Sequence, residues 1–194
     1  MHKSFVMTVI TRILPVLAFF LILLPPAHGS ETRWIDSVSA TVGKDDNSNN
    51  TDIYRLGLQN RWNRTWFNGG AWFVGGYRDV SLACWNSDND TNRSLYDLSL
   101  TPVMRLQRHA ELSRAVNPFP KVGAGGHLLS GREIGKRDLT TSLQLGSHLG
   151  VGVGFGDKGR YELMYRYQHL SNGNTKSPNQ AINFHLVSFG YALE

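Results

Sequence analysis

A histidine and a serine stand two positions apart in "YRYQHLSNGNTKSPN", residues 165–179. Suitably oriented, an imidazole can take the proton of a serine hydroxyl and make it a nucleophile toward a carbonyl carbon. The same two side chains could equally be ordinary polarity at a strand end. The chemical reading requires both on one face, a third group to orient the ring, and surroundings in which an exposed polar pair has a use. All three depend on the elements that carry the pair.

Those elements are strands. Beyond residue 30 the apolar residues alternate with polar ones, and no sustained helical period appears. In 139–155, Leu139, Leu143, Leu145, Leu149, Val151, Val153 and Phe155 share one face, while Thr140, Ser142, Gln144, His148 and glycines share the other. In 94–107, Tyr96, Leu98, Leu100, Met104 and Leu106 oppose Asp97, Ser99, Thr101, Arg105 and Gln107. In 53–62, Tyr54, Leu56, Leu58 and Trp62 oppose Arg55, Gln59 and Arg61. Five further strands fit near 34–42, 70–85, 118–129, 159–170 and 181–193. Long polar loops alternate with mostly shorter turns such as "GDKG", the asymmetry of a barrel that crosses an outer membrane. The predicted fold is all-β: an eight-stranded antiparallel transmembrane β-barrel with an exterior that is apolar throughout and a lumen that is polar and charged. Trp34, Trp62 and Trp66 fall near the short-turn ends, where an aromatic girdle belongs. A soluble sandwich, with the apolar face buried and the polar one exposed, has the same alternation, but polar faces that hold Arg opposite Asp and Glu with many glycines suit a narrow, filled barrel lumen.

The first 29 residues read as an export signal: Lys3 and Arg12 precede and punctuate an apolar stretch that ends in Ala27-His28-Gly29. The barrel is then expected over residues 30–194, with localisation in a bacterial outer membrane. The net charge of +5 falls to +3 without Lys3 and Arg12, a mild basic excess that suits anionic headgroups and makes no case for nucleic acid. Cys84 is the only cysteine, so an internal disulfide is excluded. Monomer and homodimer both remain open.

On the seventh strand, Tyr161, Leu163, Tyr165 and Tyr167 face one way and Glu162, Met164, Arg166 and Gln168 the other. Without a bulge, His169 and Ser171 continue the Tyr/Leu face and point to lipid, their Cα atoms about 7 Å apart. An even-stranded barrel sends this strand outward, and ten residues rise roughly 25 Å at the usual tilt. The pair therefore falls where acyl chains meet sugars. Glu162 faces the lumen, toward partners such as Arg55, Arg105 or Arg166, and cannot orient His169. The outward face of the eighth strand reads Asn183, His185, Val187, Phe189 and Tyr191, so Asn183 is the neighbour able to accept a hydrogen bond from His169.

The segment "HLSNGNTKSPNQAIN" resembles the His-x-Ser-Asn and Pro-Asn segments of PagL-type lipid A 3-O-deacylases, which are eight-stranded outer-membrane barrels. The likeness extends from "SVSATVG" and "YRLGL" to the last strand. It implies hydrolysis of the ester-linked acyl chain at the 3-position of lipid A in lipopolysaccharide, without cofactor or metal. Carried over by position, Ser171 is the nucleophile, His169 the general base and Asn183 the third member, where the family pattern has a Glu. Asn172 and Asn179 match asparagines that shape the oxyanion site, although turn formation accounts for them equally well. Backbone N–H groups at Asn172 and Gly173 are candidate oxyanion donors. Arg132, Lys136, Arg137 and Lys176 are either lipid A phosphate contacts or merely solvated. Outer-membrane phospholipase A also has His-x-Ser-Asn-Gly with an Asn third member, but in a longer chain that needs calcium. The competing class is a non-enzymatic small barrel, an adhesin or structural protein, in which the His-Ser-Asn arrangement is coincidence.

Overall fold

The computed structural model describes residues 34–46, 50–88, 92–109 and 116–193; the expected export signal lies outside them. The long strands are β1 (Ser37–Asp45), β2 (Thr51–Arg61), β3 (Trp72–Ser87), β4 (Ser94–Arg108), β5 (Val116–Leu129), β8 (Leu143–Phe155), β9 (Tyr161–Ser171) and β10 (Ile182–Ala192). Two short strands, β6 (Glu133–Ile134) and β7 (Arg137–Asp138), form a hairpin between β5 and β8. Each long strand pairs antiparallel with the next, and β1 pairs with β10 from Ser37↔Ala192 to Asp45↔Phe184, closing an eight-stranded barrel. Closure leaves no unpaired edge, which is what a bilayer demands of a sheet. The seventh and eighth strands of the barrel are thus β9 and β10.

Alternation places Leu56, Leu82, Leu98, Leu149, Val151 and Leu163 on the exposed exterior. Trp62 lies on this outer surface at the end of β2, its ring filling the space left by the missing side chain of Gly76, and meets Trp66 edge-on at 5.4 Å. Trp34 is fully accessible near the same end.

The lumen is not polar throughout, contrary to the reading of the sequence. Its middle is a network of ions. Arg55 donates to Asp97 at 3.2 Å and to Gln168 at 2.9 Å, and His127 lies 3.0 Å from the Asp97 carboxylate. Nearer the periplasmic end, Glu162 pairs with Lys121 and accepts from Arg105 at 3.0 Å. Arg105 was among the expected partners of Glu162; Lys121 was not, and Arg55 is committed to Asp97. Glycine makes room for this filling: a Cβ at Gly146 would strike the His127 ring, and one at Gly152 the Phe119 ring.

At the outer end the inward side chains turn apolar. Ile53, Trp85, Leu95, Leu129, Leu170, Ile182, Phe184 and Leu186 form a buried cluster, with Trp85 and Phe184 at 4.9 Å. The hairpin between β5 and β8 caps it with Ile134 and Leu139. Leu139 is therefore not the first outward residue of the sixth long strand, which starts only at Leu143. An apolar face inside a barrel needs a lid, because loop water would otherwise wet it. Gly135, with φ +58°, supplies the turn of the hairpin. Its bonds tie three loops together: Asn92 Nδ2 donates to Glu133 at 2.7 Å, Arg137 donates to the Ala181 carbonyl, and Thr140 Oγ1 donates to the Pro178 carbonyl at 2.5 Å.

Candidate active site

The outer ends of β9 and β10 are anchored in a way visible in their own alternation. Leu170 points inward between His169 and Ser171, and Ile182 and Phe184 point inward on either side of Asn183. These three side chains are buried in the apolar cluster, so the backbone that carries the outward residues is anchored from behind. His169 and Asn183 are register partners across the β9–β10 ladder. Facing side chains in that relation are close enough to bond directly. They do: His169 Nδ1 lies 2.6 Å from Asn183 Oδ1.

The protonation of this contact follows from what lies behind it. Asn183 Nδ2 donates to Asp46 Oδ2 at 3.0 Å. A carboxylate only accepts, so it must face the NH₂ side of the amide, which turns Oδ1 toward the imidazole. The ring then carries its proton on Nδ1 and leaves Nε2 as a base. Among the described residues, the only side-chain hydrogen bond of His169 is this one. Ser171, half-buried one alternation farther along β9, lies on the same outward face. Below the pair on the same face are two tyrosines with bonded hydroxyls. Tyr165 is hydrogen-bonded to His185 at 2.7 Å, and Tyr167 donates to Asp46 at 2.9 Å. The arrangement can do general-base chemistry at an ester approaching from the lipid side.

The loop after Ser171 folds around asparagines. The Asn172 N–H donates to Asn179 Oδ1 at 3.0 Å, and Asn172 Nδ2 donates to the Lys176 carbonyl at 2.9 Å. Asn179 Nδ2 in turn donates to Asn174 at 2.8 Å. The side-chain amide donors of Asn172 and Asn179 are thus spent within the loop, while Asn172 Oδ1 is buried without a partner among the described residues. Gly173 and Asn174 are consecutive left-handed residues, at φ +63° and +59°, a conformation that suits glycine and asparagine. The backbone N–H of Gly173 has no acceptor among the described residues. Arg132, Lys136 and Lys176 are exposed at the outer end, whereas Arg137 holds the Ala181 carbonyl just before β10. A recess lined by Ser37, Gln59, Tyr77 and Glu162 opens at the other end of the lumen.

The sequence places Tyr167 on the outward face with His169 but gives no local sign of Asp46, nor of the bond between the two. Asp46 lies in the polar stretch "GKDDNSNNTD" that follows the first strand, whereas face parity offers His169 a partner on the eighth strand alone. The signal was there in the closure of the barrel. Once β1 pairs with β10, the residue after Asp45 must lie beside Asn183.

Comparison with known proteins agrees with this architecture. A family model described as "PagL: Lipid A 3-O-deacylase (PagL)" matches residues 52–192. The lipid A deacylase PagL of Pseudomonas aeruginosa is 30% identical over 159 residues, covering 82% of this chain and 87% of that protein. The crystal structure of the outer membrane enzyme PagL aligns with a TM-score of 0.70 at 26% identity, covering 81% of this chain and 99% of that one. With a match that runs from β2 to the end of β10, and a barrel of the same architecture, this chain belongs to the PagL family and is an outer-membrane β-barrel.

Proposed function

We propose that this protein hydrolyses the ester-linked acyl chain at the 3-position of lipid A, with Ser171 as nucleophile, His169 as general base and Asn183 orienting the ring. The observation that carries the reading is the 2.6 Å bond from His169 to Asn183 on the outward wall. A polar relay buried against lipid tails is unfavourable unless it has work there. At roughly 25 Å up a tilted strand, it meets the outer leaflet where acyl chains join sugars. Lipid A would present its ester from the side, along the wall, which is why the chemistry needs no lumenal pocket.

In the first step Ser171 Oγ bonds to the ester carbonyl carbon as its proton passes to His169 Nε2. The tetrahedral intermediate collapses by breaking the bond to the sugar oxygen, which takes that proton from the imidazolium. The sugar leaves with a free 3-hydroxyl, and the acyl chain stays on Ser171. Water then attacks the acyl-serine as His169 Nε2 takes its proton, and the intermediate releases the fatty acid as the imidazolium returns that proton to Ser171 Oγ. Asn183 keeps the Nδ1–H tautomer throughout, leaving Nε2 able to accept. Gly173 N–H is the donor best suited to the oxyanion, because Asn172 and Asn179 are committed to holding the loop. Arg132, Lys136 and Lys176, exposed at the outer end, would meet lipid A phosphates, and Arg137 would support them by holding the Ala181 carbonyl just before β10.

Expression in a host with intact lipid A is expected to remove one 3-position hydroxyacyl chain and leave the amide-linked chains, as read by mass spectrometry of extracted lipid A. Unaltered lipid A around a folded barrel would favour the adhesin or structural reading. Loss of a chain from glycerophospholipids instead would make it a phospholipase.

The lumen should be separable from the chemistry. Glu162→Gln removes the charge that Lys121 and Arg105 share. It is expected to cost about 2 kcal/mol of barrel stability, seen as a lower midpoint for the heat-induced gel shift. Lipid A turnover should persist, since Glu162 faces away from His169.

A further inference from the structure

We infer that Asp46 is the charged member of the relay, a positioning residue that acts on His169 through Asn183; the inference rests on the hydrolase reading above. Asp46 is the first residue past β1, and bonds to β10 and β9 hold it over the site. Its backbone N–H donates to the Asn183 carbonyl at 3.2 Å, extending the β1–β10 ladder by one step. Its Oδ2 accepts from Asn183 Nδ2 at 3.0 Å and from the Tyr167 hydroxyl at 2.9 Å. The two adjacent acids divide by alternation. Asp45 is buried and accepts from the Thr51 N–H at 3.0 Å, closing the β1–β2 loop, while Asp46 turns outward onto the site.

An amide has a weakness as the third member of such a relay. It is nearly symmetrical in shape, and a flipped Asn183 would offer Nδ2–H to the imidazole. The ring would then have to accept at Nδ1 and carry its proton on Nε2, where it can no longer deprotonate Ser171. A carboxylate bonded to Nδ2 makes that flip unfavourable, because an oxygen would be turned against an oxygen. Asp46 therefore selects the amide orientation and, through it, the imidazole tautomer. Its charge also lies one amide away from the imidazolium that forms when Ser171 is deprotonated. Tyr167 fixes the carboxylate from the β9 side. A Ser-His-Asn-Asp relay thus assembles from three strands, β9, β10 and β1, and restores a carboxylate to a site that has an amide at its third position.

The test uses the purified full-length barrel in detergent micelles, with 3-O-acylated lipid A as substrate and release of hydroxy fatty acid as readout. Asp46→Ala is expected to lower kcat about 10-fold at unchanged KM, the loss typical of one hydrogen bond to a charged group. Asp46→Asn, which keeps an acceptor but not the charge, should fall between, and Asp46→Glu should recover most of the rate. The decisive measurement is a reversal of sign. Asn183→Glu sets a second carboxylate against Asp46, so adding Asp46→Asn to Asn183→Glu should raise kcat, whereas the same change lowers it in the parent. A residue that merely supports the loop would lower both. Parental kcat in Asp46→Ala and Asp46→Asn, with Ser171→Ala inactive, would overturn the role of Asp46 and leave the hydrolase reading standing. A change confined to KM would overturn it too, making Asp46 a substrate contact. A parent barrel that releases no fatty acid would overturn the hydrolase reading and this inference with it.

Discussion

Ser171→Ala is expected to bring lipid A turnover down to background, a loss on the order of 10⁴-fold or more, and His169→Ala to do the same. Without Oγ no acyl-enzyme forms, and without the imidazole the hydroxyl keeps its proton. In the proposed mechanism the two residues act as a unit, so the double variant should lose no more than either single one. Both variants should fold. His169 and Ser171 point outward, and the packing at this height belongs to Leu170, Ile182 and Phe184, which face the capped interior. Heat-modifiable migration on a gel reads the folding, and release of hydroxy fatty acid reads the chemistry. Substantial turnover by Ser171→Ala would mean that some other nucleophile, such as a water activated directly by His169, does the work.

Asn183→Ala is expected to lower turnover without abolishing it, by about 10- to 100-fold. Replacing the orienting carboxylate of a serine protease with its amide costs about 10⁴, mostly through the wrong tautomer. Here an amide oxygen is the native acceptor, locked by Asp46, so its loss removes orientation from a ring that still has the right neighbours. Judged from sequence alone, Asn183→Glu would preserve or raise the rate, since a carboxylate accepts the same bond. With Asp46 Oδ2 only 3.0 Å from the Asn183 amide, the expected outcome changes. The new carboxylate meets an old one, and the variant should run below the parent until Asp46 is neutralised. Asn183→Ala at the parental rate would remove Asn183, and Asp46 behind it, from the mechanism.

Period-two alternation is a local property, and what it governs was legible without coordinates. It set the two faces of every long strand, and so the outward direction of His169, Ser171 and Asn183 and the inward direction of Glu162, Arg166 and Gln168. The eight-stranded barrel itself follows from repetition of that pattern with alternating loop lengths. The misread places have a common cause. Leu139 continues the alternation of 143–155 but belongs to a lid, because a period in the sequence carries no mark of where a strand stops and a hairpin begins. Leu170, Phe184 and Trp85 make the outer lumen apolar, a feature that emerges only when inward residues of separate strands reach the same height. Lys121, from β5, meets Glu162, from β9, across the lumen, a pairing set by strand stagger rather than by any spacing along the chain. Asp46 is the most consequential case. Residue types and face parity by themselves determined a Ser-His-Asn wall facing lipid; only barrel closure, which brings β1 against β10 at a register no local pattern encodes, decided that a carboxylate stands behind the amide.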